Sequence, residues 1–181
     1  MSFDDVWFTF KARIAAELRL KNNDLHSQIL LVWYAILSAA AAIVAIRYPQ
    51  FAGPDTDIYS AILSMALLAI SLLVTGRDYR GRALQMRENH IALKNLYDGL
   101  NVGSIPPSEK PKLYADLLAD CENHSSYDDR YFRVFNSKGL KSRIPTIFDR
   151  LLVILMMLYR FSAALILYLI PIMMVVAAIS K

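Results

Sequence analysis

The chain has 181 residues, 56% of them hydrophobic, and a net charge of +4 at pH 7; its apolar share lies above the ~45–50% usual in soluble domains. That length allows one domain or a small membrane bundle, and the basic residues are scattered rather than gathered into the dense face of a dedicated nucleic-acid module. A single cysteine, Cys121, excludes an intramolecular disulfide and is compatible with a reducing compartment.

In chain order, "FDDVWFTFKARIAAELRLKNNDLHSQ" places apolar residues at Val6, Phe10, Ile14, Leu18 and Leu25. The spacing of four predicts an amphipathic helix over residues 1–28. Ser2 with Asp5 has the spacing of a capping box at its start. Trp7 and Phe8 suit either lipid headgroups or packing on other helices. Asp4, Asp5, Glu17 and Asp24, with no long apolar run, argue against a signal peptide.

Two uncharged runs follow, "ILLVWYAILSAAAAIVAI" (Ile29 to Ile46) and "IYSAILSMALLAISLLVTG" (Ile58 to Gly76). Each is near the ~20 residues with which a helix crosses ~30 Å of hydrocarbon, and lipid forces such runs to be helical. The "RYPQFAGPDTD" between them is a turn, so residues 29–76 read as a transmembrane hairpin. Lys11, Arg13, Arg19 and Lys21 precede it; Arg77, Arg80, Arg82 and Arg87 follow it; the turn carries Arg47 and then only Asp55 and Asp57. The positive-inside rule puts both ends in the cytoplasm. The four later arginines are therefore read as setting topology, and direct nucleic-acid contact is the disfavoured alternative.

On the second run Ser60, Ser64, Ser71 and Thr75 fall at about 0°, 40°, 20° and 60° on a helical wheel, one narrow stripe. Such hydroxyls either pack helices together or line a conduit built from several copies. Ser38 and Ala39 to Ala42 on the first run favour close helix approach.

Beyond Gly76 the pattern stays helical. Leu93, Leu96, Tyr97 and Leu100 make one stripe, "NVGSIPPSEKP" stops it, and a helix opening at Ser108 carries Leu113, Leu117 and Cys121 with Tyr114 and Leu118 alongside. The two stripes are expected to meet as an antiparallel pair. Asn123 to Pro145 is polar, aromatic and turn-rich, compatible with loop, short helix or partner surface. From Leu151 the chain turns apolar almost to its end, interrupted by Arg160. Either Phe161 to Ile179 spans with Arg160 at the cytoplasmic interface, or the whole stretch is one tilted helix whose Arg160 meets water or a carboxylate. Pro171 is expected to kink it, which neighbouring helices tolerate. The expected class is an all-α membrane protein: helix 1–28, hairpin 29–76, helical cytoplasmic lobe 77–149, and a hydrophobic helix 150–181 as a third membrane segment.

Catalytic and cofactor motifs are not found: no GxxxxGK[ST], no GxGxxG after a strand, no HExxH. Neither enzyme nor cofactor is expected. Cys121 and His124 have a C-x-x-H spacing, but zinc needs more ligands, so Cys121 is read as a small apolar residue. Asp128 and Asp129, adjacent and so not facing one another, are read as a surface turn.

The order of segments resembles the SLATT family of small bacterial membrane effectors. "ARIAAELRLKNN" (Ala12 to Asn23), "YRGRALQMRENHIALKNLYDGL" (Tyr79 to Leu100) and "YADLLADCENHSSYDD" (Tyr114 to Asp129) carry the likeness, over roughly residues 10–130. Tyr114, Leu118, Glu122, Asn123, His124 and Asp128 stand where the family has its Tyr…Leu…Glu-Asn-His…Asp stretch. The long hydrophobic C-terminus goes beyond the minimal two-span pattern. The resemblance implies an antiphage effector in the bacterial inner membrane, triggered by a separate sensor protein or a nucleotide second messenger. Its leading form is a homo-oligomeric pore whose opening follows a signal that favours one packing state. The alternative is a non-conducting adaptor that recruits a soluble partner through Asn123 to Pro145.

Overall fold

The computed structural model describes residues 3–51, 53–138 and 140–179. Among them the chain forms six helices and no strand: α1 (Phe3–Arg47), α2 (Thr56–Arg77), α3 (Tyr79–Val102), α4 (Lys110–Ala119), α5 (Ser126–Phe135) and α6 (Ile147–Ile179). The all-α class is therefore as expected. The Ser2 end of the expected capping box lies outside the described residues. Contacts divide the chain into two compact units, one of Met1–Asn22 with Tyr79–Met157 and one of Asn23–Asp78 with Leu158–Lys181.

In the first unit, α1 is buried on several sides rather than along one stripe. Val6 and Phe10 pack with Leu93, Leu96 and Leu100 of α3 and Tyr114 of α4. Ala16 and Leu20 meet Ala83 and Met86, while Phe8 and Ala15 meet Phe132 of α5. The four-residue stripe expected on α1 fails beyond Ile14, since Leu18 and Leu25 are 54% and 55% exposed. Small residues at Ala12, Ala15 and Ala16 let neighbouring helices approach and make the difference.

The α3 and α4 stripes do meet, and antiparallel: Met86 lies against Cys121, Asn89 against Leu117, and Gly99 accepts from Ser104 and Ile105 at the turn. Lys110 and Pro111 open α4, where a proline costs no hydrogen bond. Asn123 to Pro145 resolves into α5 with flanking loops. Ser125 accepts from the Asp128 amide while Asp128 accepts from the Ser125 amide, a reciprocal cap. Thr146 and Asp149 repeat the exchange at the start of α6.

In the second unit Leu30, Tyr34 and Leu63 form the centre, with Trp33, Leu37, Ala41, Ala66, Leu67, Ile70 and Tyr168 packed around it. Asp78, in the left-handed region at φ 39°, is the single residue between α2 and α3; aspartate tolerates that conformation better than most side chains. Among the described residues, three helices are long and apolar enough to cross a membrane, judged by length and composition: Asp4–Arg47, Thr56–Val102 taken together, and Ile147–Met174.

Candidate functional site

The hydroxyl stripe lies on α2 and is tied to α1. Ser64 Oγ donates to the Ser60 carbonyl at 3.0 Å, and a hydroxyl has one proton to give. Ser38 Oγ, 3.2 Å from Ser64 Oγ, is therefore the donor across the helix pair. Thr75 Oγ1 likewise donates to the Ser71 carbonyl at 2.9 Å. Ser64 and Thr75 are exposed; Ser60 and Ser71 are half-buried. Back-bonding within the helix satisfies the Ser64 and Thr75 donors, so these two hydroxyls are compatible with an apolar surround.

Near the same bundle, α6 has a proline problem and a solution. Pro171 has no amide, so the carbonyl one turn earlier, on Leu167, loses its helical donor. The buried Tyr34 hydroxyl of α1 donates to Leu167 O at 3.0 Å, and Trp33 Nε1 donates to the next carbonyl, Tyr168 O, at 3.2 Å. Arg160 donates from Nη2 to Asn23 Oδ1.

The arginines after α2 have different surroundings. Arg82 Nε pairs with Glu122 Oε1 at 2.8 Å, and Arg80 and Arg87 are exposed. Glu122 belongs to the Tyr114–Asp128 stretch, whose members reach back to α1 and α3. Tyr114 OH is 2.7 Å from Thr9 Oγ1 in a buried contact. Asp128, expected on a surface turn, is instead 0% exposed: it takes Arg19 in two bonds of 2.7 and 3.0 Å while capping α5. The hydrogen bonds that Arg19 donates to Asp128 raise its pKa. Asn123 is exposed. His124 is half-buried with Nδ1 unpartnered among the described residues, and burial, helped by the charge of Arg13, pushes its pKa down. Burial pushes the Cys121 thiol up. Among the described residues no three His, Cys, Asp or Glu side chains gather as metal ligands would.

Behind this stretch runs a polar seam that the sequence pattern concealed. Glu17 accepts from Lys21 and sits 2.7 Å from His90 Nε2. Burial pushes the Glu17 carboxyl up, yet the bonds from Lys21 and His90 outweigh it and hold it below its ordinary value. Arg13 and Asn89 both donate to the Leu117 carbonyl, at 3.2 and 2.7 Å. In the sequence Arg13 counts among the basic residues before the first apolar run and Glu17 among the acids of the N-terminal stretch, and their spacing carries no signal of burial.

No curated protein and no solved structure matches the chain at a significant level. A family model does match, over residues 3–177: the SMODS and SLOG-associating 2TM effector domain family 5. With nearly its whole length inside that match, the chain belongs to the SLATT family, a family of membrane effectors of defence systems.

Proposed function

We propose that the chain is a pore-forming effector of the bacterial inner membrane. Ile29–Ile46 and Ile58–Gly76 form its transmembrane hairpin, residues 1–28 and 77–149 lie in the cytoplasm, and residues 150–181 add a third membrane segment. Several copies assemble, turn the α2 hydroxyls inward, and permeabilise the membrane when a separate sensor or a nucleotide signal favours the open packing. The observation that carries this reading is the exposure of Ser64 and Thr75 on a membrane-length helix. Ile62, Met65, Leu68, Leu72 and Leu73 of that helix are exposed too, a two-faced surface suited to lipid on one side and water or a second copy on the other.

The test is a membrane-potential recording during induced expression. Wild type should depolarise the cell, and the double variant Ser64→Leu/Ser71→Leu should insert equally well and leave the potential intact. Depolarisation by the double variant, or none by wild type with its trigger present, overturns the pore. In the second case an adaptor takes its place. Exposed Phe135, Ile144, Ile147 and Phe148 favour that second reading, because they are large apolar side chains left uncovered outside the proposed hairpin.

A further inference from the structure

Among the described residues, the interior of the first unit holds a guanidinium, Arg13, with no carboxylate bonded to it. Arg13 is 0% exposed and Asn89 5% exposed, and their single shared acceptor is the Leu117 carbonyl. Among the described residues nothing accepts from Arg13 Nε or Nη2, and nothing donates to Asn89 Oδ1. The neighbours that act on the Arg13 charge are the Cys121 thiol and the Tyr114 hydroxyl, not a carboxylate. Three carboxylates of the same unit are engaged elsewhere: Glu17 with Lys21 and His90, Glu122 with Arg82, Asp128 with Arg19.

A buried guanidinium without a counterion is among the costliest arrangements a fold can keep. The two unpartnered nitrogens are also the two whose N–H bonds run side by side along one edge of the fork, the edge that grips an oxyanion through two parallel bonds. Asn89, which shares the Leu117 carbonyl with Arg13, keeps its Oδ1 as an unpartnered acceptor, which suits an oxyanion that itself carries an O–H. We propose that the Nε/Nη2 edge of Arg13, with Asn89 Oδ1 and the neighbouring His124, is a binding site for phosphate or a phosphate monoester. Entry requires α4 to yield, since its Leu117 carbonyl takes up one donor each from Arg13 and Asn89. Occupancy does not depend on whether the chain conducts.

Thermal unfolding of the full chain in detergent micelles, in phosphate against chloride at matched pH and ionic strength, reads the site directly. The melting temperature should rise roughly 4 °C for each tenfold increase of inorganic phosphate beyond its dissociation constant. Arg13→Gln should abolish the rise. Cys121→Asp guards against a variant that merely fails to fold: it places a carboxylate beside Arg13, so it should melt higher than wild type in chloride and ignore phosphate. Sulfate, which has no O–H at neutral pH, should give a smaller shift. Equal melting of wild type in phosphate and chloride overturns the site, as does a phosphate shift that persists in both variants. Equal shifts with sulfate and phosphate overturn the monoester assignment.

Discussion

Tyr34 gives its hydroxyl proton to Leu167, the carbonyl that Pro171 leaves without a helical donor. On the proposed topology that carbonyl lies in hydrocarbon with no water to turn to, so the bond couples a residue of α1 to the sequence of α6. Tyr34→Phe should destabilise the second unit by about 0.6 kcal/mol and at most ~1.7, the measured range for side-chain bonds between membrane helices. In the Pro171→Ala background, where position 171 regains an amide, the same substitution should cost nothing. A double-mutant cycle of unfolding in mixed micelles measures the difference; additive effects would mean the proline and the tyrosine are unrelated.

Asp128 joins two jobs in one carboxylate, capping α5 and neutralising Arg19. Its side chain is 1% exposed and that of Arg19 is 20% exposed. Removing one partner of a buried pair costs ~3–5 kcal/mol; partial solvation of Arg19 puts Asp128→Ala at the lower end. At 2–4 °C per kcal/mol for a chain of this size, the melting temperature should drop by roughly 10 °C. Arg19→Met should cost less, because the cap survives, and the double variant should cost less than the sum. A drop below a few degrees in Asp128→Ala would show that the pair contributes little.

His124 should put a slope on stability near neutral pH. Burial holds its pKa below the ordinary 6.5, so in the window just under 6.5 the unfolded chain binds a proton that the folded chain refuses. Stability therefore rises with pH across that window, and is lost as pH falls below 6.5 towards the folded value. Glu17 acts further down. Its depressed pKa gives stability present above the unfolded value and lost as pH falls through the folded one. Denaturant unfolding at several pH values should show the upper limb in wild type and not in His124→Gln. An unchanged limb in that variant would move the effect to another group.

The helical class, the apolar runs and the α3 stripe were legible because each rests on local periodicity. Leu93, Leu96 and Leu100 repeat at helical spacing and all three are buried. The start of α4 and the break before it follow from Gly103, Pro106, Pro107 and Pro111, which act on the backbone at their own positions. The interior of α1 was not legible. Leu18 fits the four-residue stripe and faces out, while Arg13 and Glu17 face in, an inversion that packing against three other helices imposes. Asp128 misled for a similar reason: the Ser125-x-x-Asp128 spacing announces a helix start, but adjacent aspartates in a polar segment read as a solvated turn. The Tyr34–Leu167 bond had half a signal in Pro171, with nothing in sequence to name the donor. Two spans suffice for the family's description, and α6 is a third helix long and apolar enough to cross.

Arg160 decides how α6 meets the bilayer. It sits one residue before Phe161, the start of a run long enough to span, and it bonds Asn23 of α1, before the first apolar run. Both polar groups belong at an interface, since an arginine at mid-bilayer is costly and a long side chain can reach the headgroups. With Arg160 as the marker, Leu151 to Tyr159 are expected to stay outside the hydrocarbon and Phe161 to Ile179 to cross it. Cysteine labelling in inner-membrane vesicles reads this register on a Cys121→Ser background. Leu155→Cys should label with a membrane-impermeant maleimide and Ile166→Cys should not. Adding Arg160→Leu removes the marker and extends the apolar run, so α6 should slide and protect position 155. Protection of Leu155→Cys with Arg160 still in place would instead put the arginine inside the membrane, where the α1 asparagine would be its partner in place of a headgroup.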